Sequence, residues 1–302
     1  MNVLVVGATG FMGRETVRQL LEAGMAVRAM TRTPEKAMDL QKMGAEVVQG
    51  NLIDPASLAR TCQGMGAVVS AAHGLLGSGK YSSAAVDDAG QRALIDAAKL
   101  AGAGYFVFTS MQGVSSASPV DFARYKSAVE QYLQASGMNY TILRPPAFME
   151  WHAHIFLGKD ILEKGKASIL GNGETPTNFM AASDVAKFAV IALTNSRTCN
   201  RVLEIGGPDN ITKNDLARLY MRLSGKDAKI SHLPPAMLRV MSVLLKPFQP
   251  GISRVMWMAY VNEKVDQSFD PRKMLAEFPV DLLGIEDFVK ARVAEWKAKA
   301  AA

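Results

Sequence analysis

The sequence predicts an α/β fold, a doubly wound parallel sheet with a smaller C-terminal α/β part. Two observations support this prediction. Short apolar runs alternate with longer helical patterns through residues 1–145, which is typical of a parallel sheet with helices on both faces. The alternation ends at Pro145-Pro146, and we expect a second part over residues 146–302 that is interleaved with the core and tightly packed on it.

The elements of the first part follow one another in strict order. The predicted strands are rich in β-branched and aromatic residues and cover 3–6, 26–30, 46–48, 67–71, 105–109 and 140–143. The predicted helices have apolar residues at helical spacing and cover 11–23, 34–43, 55–61, 84–101 and 120–136. Gly24 is placed to end the first helix and Pro34 to begin the second. We therefore expect one sheet of six parallel strands.

The second part has fewer regular signals. Gly171-Asn172-Gly173 is typical of a hairpin turn, Ser183 and Thr212 are placed to cap helices, and a late strand is predicted at 202–205. The apolar segment 235–248 has few polar side chains. We interpret it as a core or lid helix, with a dimer face, a protein partner and a membrane surface as the alternatives.

Composition narrows the class of protein. The net charge is +6 without a run of five like charges, so we expect a globular protein that does not bind nucleic acid. Cys62 and Cys199 are too few for a metal cluster or a disulfide framework, so no metal is expected, and two reduced thiols suit the cytoplasm. Met1 leads directly into the first strand, so we expect no targeting peptide. No segment approaches the ~18 apolar residues of a membrane span.

The first apolar run leads into a glycine-rich turn that opens a helix. Gly7, Gly10 and Gly13 are spaced as Gly-x-x-Gly-x-x-Gly, and a turn of this kind between a strand and a helix is typical of a dinucleotide site. Backbone amides around Thr9, Phe11 and Met12 are then expected to face a pyrophosphate. The alternative is a tight turn that holds no ligand.

The end of the second strand indicates which dinucleotide is preferred. The run is Thr31-Arg32-Thr33, with no acid before Glu35. An arginine at this position can bind a ribose 2′-phosphate, whereas a carboxylate would bind the 2′-hydroxyl. We therefore expect NADP(H) to be preferred over NAD(H). Arg14 is a second phosphate candidate, or else a solvated helix residue.

Loops after the third and fourth strands are expected at the same edge of the sheet. Asn51 and Leu52 would lie beside the adenine ring. Ala71 and Ala72 are small enough to let the backbone approach the nicotinamide ribose. His73 either contacts the ligand or is an ordinary loop histidine.

Four motifs together resemble the NmrA-like group of atypical short-chain dehydrogenases over residues 1–210. They are the glycine turn and the runs 106–110, 141–145 and 184–186. The resemblance implies a Rossmann domain that binds NADP(H) and a small C-terminal substrate domain. Relatives of this kind include isoflavone-reductase-like enzymes, NADPH:quinone reductases, triphenylmethane reductases and catalytically silent redox sensors.

The wider family uses a Tyr-x-x-x-Lys pair, and here only the lysine is present. Lys126 matches it, but Phe122 occupies the tyrosine position, and phenylalanine cannot transfer a proton. Tyr125 is next to Lys126 on the predicted helix, and adjacent helical side chains point about 100° apart. Tyr125 therefore does not take the place of the missing tyrosine. Lys126 is expected to act in two ways, by bonding the nicotinamide ribose and by supplying positive charge or a proton near the substrate. Ser110 would orient a substrate oxygen, or else bond local backbone.

An aromatic cluster follows the sixth strand. The resemblance implies that Pro145 and Phe148 lie beside the nicotinamide carboxamide. It also implies that Phe148, Trp151 and His152 form the wall of an acceptor pocket. The alternative is a seam between the two parts. The leading hypothesis is an NADPH-dependent reductase that transfers hydride to a planar, electron-poor small molecule, with a quinone as the first candidate. The rival is a catalytically silent NADP(H)-sensing regulator or an assembly scaffold.

Overall fold

A computed structural model describes residues 1–301. The described chain divides into two compact units. The first unit contains Met1–Arg144 and Val185–Glu204, and the second contains Pro145–Asp184 and the chain from Ile205 onward.

The structure contains the following strands and helices. The strands are β1 Asn2–Val6, β2 Ala26–Thr31, β3 Glu46–Gln49, β4 Ala67–Ser70, β5 Tyr105–Thr109, β6 Asn139–Arg144, β7 Ala147–Phe148, β8 Lys166–Leu170, β9 Thr177–Met180, β10 Arg201–Glu204, β11 Asn210–Ile211 and β12 Lys229–Leu233. The α-helices are α1 Phe11–Glu22, α2 Met38–Lys42, α3 Pro55–Cys62, α4 Gln91–Leu100, α5 Asp121–Ala135, α6 Lys159–Lys164, α7 Ala182–Thr194, α8 Lys213–Ser224, α9 Pro235–Leu244, α10 Pro250–Asn262, α11 Arg272–Glu277 and α12 Ile285–Ala301.

The first unit is a Rossmann-like α/β fold, as the sequence predicts. Within residues 1–301 its parallel sheet has seven strands in the order β10-β6-β5-β4-β1-β2-β3. Both faces of β1 are covered, and the four residues Val3, Leu4, Val5 and Val6 are at most 1% exposed. This double burial explains why the strand reads as a continuous apolar run.

The prediction of six strands was wrong by one. The late strand, predicted at 202–205 and assigned to the second part, is β10, and it pairs in parallel with β6 through Val202 opposite Ile142 and Leu203 opposite Leu143. Local periodicity identifies a strand but does not reveal its partner, because the chain leaves the sheet after β6 and returns only after α7.

Two predicted details of the second unit are also wrong. Gly171 and Gly173 do form a turn with positive φ, but it is not a hairpin, because β8 pairs with β12 while β9 pairs with β7 and β11. Ser183 does not precede a helix, because α7 already begins at Ala182. The predicted Thr212 cap is confirmed, since its hydroxyl accepts a hydrogen bond from the Asp215 amide at 3.0 Å.

An ion-pair network fixes the end of β6. Arg144 donates through Nε and Nη2 to the two carboxylate oxygens of Glu130, at 3.0 and 2.5 Å, and through Nη1 to Glu204 at 2.8 Å. The Glu130 side chain is 5% exposed and the Glu204 side chain 48% exposed. The network therefore joins α5, β6 and β10 and compensates one buried carboxylate.

We predict that Arg144→Met lowers the free energy of unfolding by about 3 kcal/mol, because it leaves the Glu130 carboxylate buried without its cation. The matched change Glu204→Gln removes only the exposed partner and should cost less than about 1 kcal/mol. Urea unfolding of both variants measures the difference. Equal losses would contradict the assignment of Glu130 as the buried partner that matters.

Candidate functional site

The glycine turn after β1 brings three backbone segments into contact. Gly7 has φ +82°, and a Cβ added there would lie 2.8 Å from the Ala72 amide nitrogen. A Cβ added at Gly13 would lie 2.1 Å from the Gly7 carbonyl oxygen. Both positions therefore require glycine for steric reasons. As a result, the end of β1, the start of α1 and the loop after β4 approach more closely than side chains would permit.

The first turn of α1 is suited to an anion. Gly10 precedes the helix and provides no side-chain cap, and the first amides of any α-helix lack intrahelical acceptors. Met12 and Gly13 in this turn are buried, while Phe11 is 41% exposed. Thr9 lies beside the turn, with its hydroxyl oxygen 3.5 Å from that of Thr31. The expected pyrophosphate contacts of these residues remain predictions.

The carboxyl ends of neighbouring strands bring most of the predicted site residues to one edge of the sheet. Within the first unit these are the glycine turn after β1, Arg32 after β2, Asn51 and Leu52 after β3, Ala71, Ala72 and His73 after β4, and Ser110 after β5.

A basic and aromatic cluster lies around Arg32. The Arg32 side chain is exposed, and its guanidinium carbon is 4.9 Å from the centroid of the Tyr81 ring. The ammonium of Lys80 is 5.3 Å from the same ring. Sequence reasoning missed both neighbours. The adjacent residues Lys80 and Tyr81 are a basic and aromatic pair that is visible in the sequence. Residue spacing did not predict that the long loop after β4 would bring this pair to Arg32.

Asn51 is partly buried and Leu52 is buried. The side-chain nitrogen Nδ2 of Asn51 donates to the Tyr81 hydroxyl at 3.4 Å, and the side-chain oxygen of Asn51 accepts from the Ile53 backbone amide at 3.3 Å. Leu52 is 6% exposed and belongs to the apolar core of this unit. Asn51 thus connects the loop after β3 to Tyr81, and the predicted adenine contact remains a prediction.

Arg14 is already engaged by the protein. Its guanidinium bonds the Asp39 carboxylate and the Lys36 carbonyl oxygen, and its Nε donates to the Thr9 carbonyl oxygen at 3.3 Å. These contacts tie α1 to the segment after β2. Arg14 therefore braces the turn, whereas Arg32 presents an exposed guanidinium.

Two buried polar side chains hold the loop after β4. Gln91 donates to the Ala72 carbonyl oxygen at 3.0 Å and accepts from the Ser70 hydroxyl at 2.7 Å. Asp87 accepts from the Gly74 amide at 2.9 Å and from the Ser83 hydroxyl at 2.6 Å. Both side chains are fully buried, so they fix the loop backbone rather than meet solvent. Sequence reasoning missed both, since neither belongs to a motif.

Asp87 lies in a π-helical segment, Ala84–Gly90, that continues directly into α4. Such segments are rare and frequently occur at functional sites. The sequence pattern predicted one continuous helix here. His73, in the loop that Asp87 fixes, is exposed, and its ring centroid is 6.3 Å from that of Phe122. Its two predicted alternatives remain open.

Lys126 is buried beside the carboxyl end of β5. Its ammonium donates to the Thr109 carbonyl oxygen at 2.9 Å and lies 4.7 Å from the Phe108 ring and 5.5 Å from the Phe122 ring. Burial lowers the pKa of Lys126, while the carboxylates of Asp87 and Glu130 oppose this shift. The phenyl ring of Phe122, which cannot transfer a proton, therefore lies beside the ammonium at the position where the resemblance leads us to expect a tyrosine.

Ser110 has a hydroxyl without a partner. It is 6% exposed, and within the described residues no group hydrogen-bonds its side-chain oxygen. Its backbone amide donates to the Leu143 carbonyl oxygen at 2.7 Å. The alternative that this hydroxyl bonds local backbone is therefore wrong. An orphaned buried hydroxyl is expected where a ligand completes the hydrogen bonding.

The residues predicted from 145 to 152 belong to the second unit. Pro145 precedes β7, and the Phe148 carbonyl oxygen lies 3.2 Å from Nδ1 of His152. Trp151 and His152 both contact the Phe156 ring, with centroid distances of 5.7 and 5.8 Å. These side chains form a small aromatic cluster. Their assigned roles toward nicotinamide and acceptor remain predictions.

Comparison with known proteins relates this chain to proteins that bind NAD(P)H. A model of the NAD(P)H-binding family matches residues 7–196. The photosystem II assembly factor Ycf39 of Guillardia theta is 30% identical over 296 residues, which cover 96% of this chain and 93% of that protein. The NAD(P)H azoreductase of Xenophilus azovorans is 31% identical over 228 residues, 75% of each chain.

A solved structure has the same fold. The NADPH-dependent quinone oxidoreductase QOR2 of Escherichia coli matches with a TM-score of 0.76 at 22% identity, over 96% of this chain and 99% of that chain.

We predict different effects of substitution at the second and third glycines of the turn. Gly13→Ala should lower the stability of the ligand-free protein by about 1–3 kcal/mol, because its methyl group has no space beside Gly7. In Gly10→Ala the methyl group meets the Gly7 oxygen at an ordinary 3.4 Å. That variant should keep the melting temperature but lose nucleotide affinity, because the methyl group would occupy the space that we expect the pyrophosphate to fill. Thermal melting and fluorescence titration check both. Unchanged nucleotide affinity in Gly10→Ala would contradict the assigned anion site.

Proposed function

The chain belongs to the NAD(P)H-binding family, and we propose that it is an NADPH-dependent reductase that transfers hydride to a planar, electron-poor acceptor, with a quinone as the first candidate. One observation carries the proposal. At the carboxyl end of β5, the Thr109 carbonyl holds the buried Lys126 ammonium, and the next residue, Ser110, has an orphaned buried hydroxyl. A cation and an unsatisfied hydroxyl at this edge suit a polar ligand atom.

The first unit fits the cofactor that the family implies. The glycine turn offers a cradle that a Cβ would fill at Gly7 or Gly13, and the first turn of α1 offers amides for the pyrophosphate. When bound, NADPH supplies the hydride. Lys126 is then proposed to bond the nicotinamide ribose, and Ser110 to orient an oxygen of the acceptor.

The missing phenol restricts the acceptor. Phe122 cannot donate a proton, so reduction of a simple carbonyl would lack its usual acid. A quinone accepts hydride with charge spread over its ring and oxygens, and it needs little proton help at the moment of transfer. Positive charge from Lys126 would stabilise the developing negative charge, and positioning supplies the rest of the rate enhancement.

Two relatives support an acceptor of this chemical class. The Xenophilus protein is named for reduction of azo compounds, and the Escherichia coli protein, which has the same fold, for reduction of quinones. Azo and quinone compounds are both conjugated and electron-poor. This common chemistry is the reason for choosing a quinone as the first probe.

A preference for NADPH is part of the same proposal. Arg32 is exposed after β2, with Lys80 on the same tyrosine ring, and the two cations together suit a 2′-phosphate. The proposed contact is a hydrogen-bonded ion pair between the Arg32 guanidinium and that phosphate.

A second function has a specific observation in its favour. The chain is 30% identical to a photosystem II assembly factor over nearly its whole length, and Phe122 removes the usual proton donor. A protein that binds NADP(H) without turnover and serves as an assembly scaffold would also fit both facts. Turnover separates the two functions, because both require nucleotide binding.

We predict that stopped-flow mixing of NADPH-loaded protein with benzoquinones and naphthoquinones shows acceptor-dependent loss of NADPH absorbance. Lys126→Met should slow this step by about 10- to 100-fold, since it removes a charge that stabilises the transition state. Turnover should also fall as pH rises through the lowered pKa of Lys126, because the neutral amine loses that effect. The fall in turnover at high pH should be absent in Lys126→Met.

The surface change Lys42→Met is the control for that experiment and should leave the rate unchanged. NADPH binding without oxidation by any acceptor in the panel would reject the reductase and favour the scaffold.

To test the cofactor preference, we predict that Arg32→Ala weakens NADPH binding by about 10- to 100-fold, the loss of affinity expected when one charge-assisted hydrogen bond is removed. The affinity for NADH should change by less than about threefold. Arg92→Ala is a matched control, because Arg92 also lies over a tyrosine, 5.0 Å from the Tyr132 ring. Titration of each variant with both nucleotides gives the ratio. Equal losses for NADPH and NADH in Arg32→Ala would refute the phosphate contact.

A further inference from the structure

An exposed apolar surface lies on the helical hairpin formed by α9 and α10 in the second unit. Its exposed large apolar residues are Met237, Val240, Val243, Leu244, Phe248 and Ile252. Phe248 is 82% exposed, Val243 68% and Leu244 65%. Monomeric proteins rarely leave a contiguous apolar surface of this kind in water. We call these six residues the hairpin surface.

The hairpin surface is an ordered face of a packed structure. Leu238 of α9 is fully buried, and the Ser253 hydroxyl of α10 donates to the Ser242 carbonyl oxygen at 2.5 Å. The connecting turn is closed by a hydrogen bond from the Gln249 amide to the Leu245 carbonyl oxygen at 2.7 Å. On α9 the exposed apolar residues recur at positions 237, 240, 243 and 244, the spacing of one helical face.

The charged residues in this stretch of the sequence all have the same sign. From residue 228 to residue 262 the sequence contains no Asp or Glu, and its Lys and Arg residues there are Lys229, Arg239, Lys246 and Arg254. Arg239 and Lys246 are exposed, and neither forms an ion pair within the described residues. Apolar side chains flanked by cations without any acid are typical of a segment that lies in the interface of an anionic membrane.

We propose that the hairpin surface docks on an anionic lipid bilayer, with its apolar side chains inserted at the boundary between head groups and acyl chains and with Arg239 and Lys246 at the phosphates. The long side chains of these cations can keep their charges at head-group level while the neighbouring residues insert. The contact is peripheral. Within residues 1–301 no helix combines the length and hydropathy needed to cross a bilayer.

A bilayer fits this surface better than a second copy of the chain. Two hairpin surfaces placed face to face would bring the same cations together with no carboxylate from this stretch to neutralise them. An anionic bilayer supplies negative charge and an apolar layer together. A protein partner would need an acidic rim around an apolar groove.

The test is flotation of the full chain with vesicles of phosphatidylcholine alone or mixed with phosphatidylglycerol. We expect at least tenfold more bound protein on the mixed vesicles, with less binding at high salt. Leu244→Asp and Phe248→Asp should each abolish binding, and Arg239→Gln combined with Lys246→Gln should weaken it about tenfold. Leu100→Asp is the matched control, because Leu100 is 89% exposed and lies outside the hairpin surface.

Nucleotide titration of the same variants reports on the first unit and should be unchanged, so failure of the proposed reductase leaves this test intact. Absence of flotation on the mixed vesicles would overturn the proposal, as would equal binding by Leu244→Asp and Leu100→Asp. A dimer in light scattering that Leu244→Asp dissociates would assign the surface to a second copy. Binding to neither vesicle, together with capture of an acidic protein that Leu244→Asp abolishes, would assign it to a protein partner.

Discussion

The close approach of backbone at Gly7, Gly13 and Ala72 is the constraint on which the candidate site depends. A methyl group at either glycine would collide with a neighbouring backbone atom, so the end of β1, the start of α1 and the loop after β4 remain in contact only while both residues are glycine. This contact places the amides of the first helical turn at the carboxyl edge of the sheet. Gln91 and Asp87 then hold the adjoining loop through hydrogen bonds to its backbone.

The chemistry at this edge follows from what the fold buries there. Lys126 is held against the Thr109 carbonyl and two phenyl rings, and the Ser110 hydroxyl has no partner in the described structure. With Phe122 at the position where the resemblance implies a tyrosine, the site offers positive charge and a hydroxyl but no phenol at that position. That combination is the physical reason for choosing an acceptor that needs little proton transfer. It also keeps the scaffold function in contention.

The sequence predicted what depends on local spacing. Glycines at fixed intervals, the i, i+4 relation of Phe122 and Lys126, and continuous apolar strands all leave a local pattern. It did not predict the partner of β10 or the course of the chain after Gly171, because pairing between distant segments leaves no periodic signal. Tyr81, Asp87 and Gln91 were missed for a related reason, since each acts through tertiary contacts of a loop that no motif marks.

Isothermal titration calorimetry of the ligand-free full chain with NADPH, and separately with NADH, tests the central claim most directly. The account predicts saturable binding of NADPH at one site per chain, with NADH binding more weakly to that site. Heat signals indistinguishable from dilution for both nucleotides would contradict the account, because the glycine turn would then be a structural turn that holds no ligand.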